Sequence, residues 1–165
     1  MKRPKLVQAT QLPEIAVVRD LFREYAIGTG LDLCFQNFEE ELATLPGKYA
    51  PPRGRLYLLF DGSVVGGCAA LRPFRDDIAE MKRLYVRPQF RRHGHARFLS
   101  QKLIEEARTI GYRAIYLDTL RSMVEARRLY ASIGFVEFEP YYDNPLPEVC
   151  YMKLDLQEPR KLESR

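Results

Sequence analysis

The chain has 165 residues, 46% of them hydrophobic, with 26 Lys and Arg against 22 Asp and Glu for a net charge of +4. A chain of that size buries one core, so a single domain is expected over residues 1–156, with 157–165 as a flexible polar tail. No internal repeat and no apolar run near the roughly 18 residues of a bilayer span is present, and no apolar stretch follows the basic start, which predicts a cytoplasmic protein with no membrane partner.

In chain order, Leu6 to Ala9 reads as a short strand. A helix follows from about Pro13, with Ile15, Val18, Leu21, Phe22 and Tyr25 as its apolar stripe and Gly28 and Gly30 as its stop. Asn37 to Leu45 predicts a second helix, because Glu39, Glu40 and Glu41 suit the positive end of a helix dipole. Pro46 to Gly54 is a loop. Arg55 to Phe60 and Ser63 to Leu71 are strands joined by the hairpin signal Asp61-Gly62. Gly66-Gly67 inside the second marks a bulge or a close backbone approach, since no Lys-Ser/Thr follows to make a phosphate loop. Arg72 to Asp77 is expected to be a loop.

Met81 to Val86 mixes β-branched and aromatic residues as a strand does, and Arg87-Pro88 ends it. From Ala96, the positions Leu99, Leu103, Ile104, Ala107 and Ile110 recur at helical spacing up to Gly111, so a helix starts inside Arg91-Arg92-His93-Gly94-His95-Ala96. A helix start carries unpaired N–H groups and roughly half a positive charge. Gly94 and Ala96 leave the backbone accessible, and Arg87, Arg91, Arg92, His93, His95 and Arg97 surround it with cationic or hydrogen-bonding groups. The turn is therefore a candidate pyrophosphate site. Tyr112 to Leu117 is a further strand, Met123 to Ile133 a helix closed by Gly134, and Phe135 to Glu139 with Glu148 to Leu156 a hairpin around the aromatic loop Pro140 to Pro145.

Cys34, Cys68 and Cys150 are odd in number and widely spaced, which speaks against a disulfide framework; Cys68 and Cys150 sit in strand-like runs and are expected to be buried. His93 and His95 have no Cys or carboxylate cluster beside them, so no metal is expected. Basic charge concentrated at one turn suits a phosphorylated cofactor better than a nucleic acid.

Arg91-x-x-Gly94-x-Ala96 resembles the Arg/Gln-x-x-Gly-x-Gly/Ala signature of the GNAT superfamily of N-acetyltransferases. Ala126-x-x-Leu129-Tyr130-x-x-x-Gly134-Phe135 resembles that family's second signature, at the usual distance. The resemblance covers about residues 5–156. It implies an α/β fold with a mixed, predominantly antiparallel sheet of about six or seven strands and about four flanking helices, in the order β, α, α, β, β, β, α, β, α, β, β. It also implies acetyl-coenzyme A as acyl donor and a small-molecule or peptide primary amine as acceptor.

The cofactor strand of the family splays from its neighbour, and carried over here the backbones of Leu84, Tyr85 and Val86 bind pantetheine and polarise the thioester. Arg91, Arg92, His93, Gly94, His95, Ala96 and Arg97 take the pyrophosphate. Glu80 stands where protein-acetylating members carry a general base, a role worth having because deprotonating an amine of pKa about 10.4 at pH 7 costs about 4 to 5 kcal/mol. Asp118 is the second candidate. Tyr130 falls on an inward stripe, where the resemblance places its hydroxyl beside the thioester sulfur as proton donor. Met123 departs from the family's asparagine at that position. Asp32, Phe35 and Gln36 are candidates for acceptor contact, and the aromatic loop for a cap over the acceptor. The alternatives are a non-catalytic acyl-coenzyme A sensor of the same fold and a basic nucleic-acid-binding domain. The acceptor's identity, the acyl length and the oligomeric state, a homodimer included, are not legible.

Overall fold

The computed structural model describes residues 3–33 and 37–157. Among them, seven strands and four α-helices follow the expected order: β1 (Lys5–Gln8), α1 (Leu12–Thr29), α2 (Phe38–Thr44), β2 (Arg55–Asp61), β3 (Val64–Arg75), β4 (Ile78–Val86), α3 (His95–Ile110), β5 (Ala114–Leu120), α4 (Val124–Ile133), β6 (Val136–Phe138) and β7 (Val149–Asp155). One sheet runs β1-β2-β3-β4-β5-β7-β6. Every pairing is antiparallel except β4 with β5.

Helices cover both faces of this sheet, so its inner strands must be apolar on both. On β2, Leu56 and Leu58 join a core with α1 and α2, while Tyr57 and Leu59 join one with α3 and α4. Residues one apart on a strand point to opposite faces, and β2 thereby ties the two cores together. The Asp61-Gly62 signal gives a hairpin whose loop is Gly62-Ser63, with Gly62 at φ 65°.

Both readings of Gly66-Gly67 hold. Leu59 pairs with Gly67 but Phe60 with Val65, so Gly66 is the extra residue of a bulge. A Cβ on Gly67 would lie 2.4 Å from the Tyr85 carbonyl oxygen, a contact that only glycine avoids. Cys68 and Cys150 are buried free thiols. Cys34 and the tail residues 158–165 lie outside the described residues.

Several strand boundaries differ from expectation, among them the start of β4 at Ile78 rather than Met81 and the end of β5 at Leu120 rather than Leu117. Of the expected loop Arg72 to Asp77 only Asp76-Asp77 is a turn: β3 continues to Arg75, with Pro73 opposite Ala79 beside a register shift, where a missing N–H is tolerated. β5 begins at Ala114, because Tyr112 still donates its N–H to the Ala107 carbonyl at the end of α3.

Candidate active site

The site is made by β4 parting from β5 while it bulges against β3. On the β5 side, pairing stops at Glu80 with Tyr116, which leaves the C-terminal half of β4 without a partner strand there. On the β3 side, Cys68 pairs with Tyr85 and Ala70 with Lys82, so β4 spends three steps where β3 spends two. The extra residue falls at Arg83, which holds φ 59°, a region costly for a side chain unless its surroundings enforce it. They do: the buried guanidinium donates to both oxygens of Glu41 on α2, at 2.9 and 3.3 Å, and lies over the rings of Tyr25 and Phe38.

The opening between β4 and β5 is a cavity of about 830 Å³, within the range of small-molecule sites. Its walls are β4 from Met81 to Val86, the C-terminal end of α1, the end of β5, the exposed start of α3, one side of α4, and Asn144 and Leu146 from the loop before β7.

One end is the candidate anion cradle expected from the sequence. A 3-10 turn, Pro88–Phe90, leads into Arg92 at φ 64° and Gly94 at φ 79°, and α3 begins at His95. Nothing lies within 4 Å of where a Gly94 Cβ would stand, so the positive φ, not packing, calls for glycine here. Not all the surrounding cations are free. Arg87 is spent on Glu24 at 2.7 and 3.0 Å and on the Val65 carbonyl. Arg91 donates to the Val86 carbonyl at 2.9 Å and Arg97 to the Ser132 hydroxyl at 2.6 Å. Arg92 is largely exposed, its nearest carboxylate Glu125 at 3.8 Å. His95 is buried with both ring nitrogens unpartnered among the described residues, although Nε2 comes within 3.5 Å of Asp61.

Tyr130 lines the same cavity from α4, packed on Phe135 with ring centroids 5.7 Å apart. Burial, with a smaller contribution from Tyr25 and Asp118, pushes its phenol above the ordinary tyrosine range, so the group stays protonated near neutral pH.

Beside the cavity, around Lys82 and Asp118, lies a network of carboxylates and cations. Glu80 is 2% exposed: Arg72 donates to Oε1 at 2.9 and 2.7 Å, and the Tyr141 hydroxyl to Oε2 at 2.5 Å. Asp118 accepts on Oδ2 from Tyr142 at 2.5 Å and Asn144 at 3.2 Å, while Oδ1 faces the Lys82 ammonium at 3.5 Å. Tyr141 also packs against Phe74, Tyr116, Phe138 and Tyr151, which fixes the aromatic loop over the sheet. The two strand carboxylates are thus each held by a tyrosine from one loop.

Of the residues picked out from sequence, Leu84, Tyr85, Val86, Arg91, Arg92, Gly94, His95, Ala96, Arg97, Tyr130 and Asp118 border the cavity. Glu80 and His93 are not among its lining residues. Asp32 is exposed, and Phe35 and Gln36 lie outside the described residues. Lys82 was passed over, although a residue two after Glu80 on a strand shares its face.

A model of the acetyltransferase (GNAT) family matches residues 15–135. The chain belongs to that family. It is 40% identical over 156 residues to an uncharacterized N-acetyltransferase of Schizosaccharomyces pombe, covering 92% of this chain and 95% of that one. An uncharacterized N-acetyltransferase of Dictyostelium discoideum is 29% identical over 93% of this chain and 99% of its own length. Among solved structures, a GNAT acetyltransferase of Staphylococcus aureus superposes with a TM-score of 0.77 at 16% identity, over 94% of this chain and 100% of that one. An acetyltransferase of Salmonella typhimurium, described with its cofactor acetyl-CoA, superposes with a TM-score of 0.73 at 19% identity, over 95% and 96%. The GNAT sheet, mixed but mostly antiparallel, is the one expected from the two signatures.

Proposed function

We propose that this GNAT protein is an N-acetyltransferase that moves the acetyl group of acetyl-coenzyme A to a primary amine. The observation that carries the reading is the free edge of β4 beyond Glu80, which opens into one cavity with the α3 cradle at one end and Tyr130 and Asp118 farther along. Backbone groups of Leu84, Tyr85 and Val86 on the side that has parted from β5 suit pantetheine amides, with the Val86 carbonyl already accepting from Arg91. N–H groups of the first turn of α3 suit a pyrophosphate.

Asp118 is the better-placed proton acceptor, because it borders the cavity with one oxygen only loosely engaged, whereas both oxygens of Glu80 are taken. Glu80 then serves to anchor Arg72 and Tyr141. In the reaction the ammonium loses one proton through Asp118 to solvent, and its nitrogen attacks the thioester carbonyl. An N–H or backbone dipole of β4 supports the oxyanion. The C–N bond forms, the C–S bond breaks, and the departing thiolate takes the Tyr130 proton. The second amine proton restores Tyr130, for a net release of one proton.

The test is free-thiol release from acetyl-coenzyme A across an amine panel. Amine-dependent release supports the transferase. Coenzyme A binding without release on any amine points to the sensor alternative.

A further inference from the structure

The cluster around the acceptor end of the cavity is electrically balanced. Glu41, Glu80 and Asp118 face Arg72, Lys82 and Arg83. Two of the cations are tightly committed, Arg83 to Glu41 and Arg72 to Glu80, through contacts of 2.7 to 3.3 Å. The third is not. Lys82 has a 5% exposed side chain, and its ammonium touches Asp118 only at 3.5 Å and Glu80 only at 4.0 Å. An ammonium has three donors, so Lys82 has capacity left, and it lines the cavity beside Asp118.

We propose that Lys82 and Asp118 form a subsite for a zwitterionic acceptor, a free α-amino acid, with the substrate ammonium on Asp118 and its carboxylate on Lys82. This rests on the transferase reading and names its substrate class. A molecule bearing both charges on one carbon lays its dipole antiparallel to the loose pair and adds no net charge to a balanced site. A simple amine or polyamine brings a cation beside Lys82 with nothing to offset it. A peptide α-amine lacks the adjacent carboxylate. Tyr142 and Asn144 hold the other oxygen of Asp118, so the acceptor meets a carboxylate whose position is already fixed.

The experiment offers wild-type protein and acetyl-coenzyme A the common α-amino acids, each beside its carboxamide and the corresponding amine without a carboxyl group, and reads thiol release. At least one amino acid is expected to exceed both partners by about tenfold or more in kcat/KM, because a site built for a polar group rejects the analogue lacking it. Lys82→Gln should bring that ratio close to one and Lys82→Arg should keep part of it, with the thermal shift given by coenzyme A retained. Carboxamides or plain amines turned over as well as the acids, or a preference that survives Lys82→Gln, would overturn the subsite. Should the Gln variant not fold, the wild-type comparison decides alone. Should no amine be acetylated, calorimetry of the amino acids and carboxamides against the coenzyme A complex still separates the two claims. Binding of the acid alone keeps the subsite and rejects the transferase, and binding of neither rejects the subsite.

Discussion

At the scale of single residues, Tyr130 is placed where a core role and a chemical one predict different losses. Its ring packs on Phe135 and its hydroxyl is not among the buried unpartnered atoms of the described residues, so Tyr130→Phe removes an oxygen without leaving a buried group unpaired. Stability should change by about 1 kcal/mol or less. A general acid contributes about 10²- to 10⁴-fold, so turnover should drop by at least about tenfold while coenzyme A still binds. Wild-type turnover in the folded variant would reduce Tyr130 to packing. The two carboxylates are separable in the same way. Asp118→Asn should lower turnover at neutral pH and recover in part as pH nears the pKa of the free amine, where less deprotonation is needed. Glu80→Gln instead weakens the partnership with a largely buried Arg72, so it should cost about 1 to 3 kcal/mol of stability and lower turnover evenly across pH. A recovering profile for Glu80→Gln would return the base to Glu80.

At the scale of elements, the anion cradle is only as well placed as α3, and α3 is pinned to the sheet by Glu106. That carboxylate accepts from Arg55 and Tyr57 of β2 and from Lys102 on its own helix. Burial alone would raise its pKa, but those donors outweigh burial and hold it below the ordinary carboxylate value. A folded-state pKa below the unfolded one means the stabilisation is complete above the unfolded value of about 4.3 and fades as pH falls through the folded value. Glu106→Gln should therefore lower the melting temperature most at pH 6 to 7, and the gap to wild type should narrow below about pH 4.5. A gap that is constant with pH would mean the ionised form contributes nothing. Such elements were legible where the signal is local. The stripe Leu99, Leu103, Ala107 and the stop at Gly111 belong to α3 alone, and each appears in the fold where its spacing put it. The end of β3 was not legible, because a run of Arg72, Pro73 and Arg75 looks like a surface turn unless Glu80 is known to neutralise Arg72 across the sheet. Nor could Glu80 be seen to be shut off, since Tyr141, which closes it, comes 61 residues later from a loop without a periodic pattern.

At the scale of the whole molecule, the cavity is the place where both cores meet, since its walls draw on α1 from one face of the sheet and on α3 and α4 from the other. A ligand lodged there touches elements that come apart on unfolding and binds only the folded chain, which makes stability a direct reading of occupancy. At a hundredfold excess over its dissociation constant, coenzyme A should add about 2.7 kcal/mol. For a domain of this size that is a rise of about 5 to 10 °C in melting temperature. Gly94→Glu should abolish the rise, because it puts a carboxylate and a strained φ of 79° where the phosphates are expected, in space the fold leaves open. Salt then separates a cofactor from a nucleic acid. Many phosphate contacts with surface cations lose affinity steeply as salt increases. A pyrophosphate on backbone N–H groups, with pantetheine along β4, keeps most of its affinity, because those donors are fixed in place and several of the nearby arginines already serve the fold. The rise should therefore persist at about 0.5 M salt, beyond which surface electrostatics are largely screened. A shift with coenzyme A that vanishes there, or that Gly94→Glu leaves intact, would remove the α3 turn from the binding site.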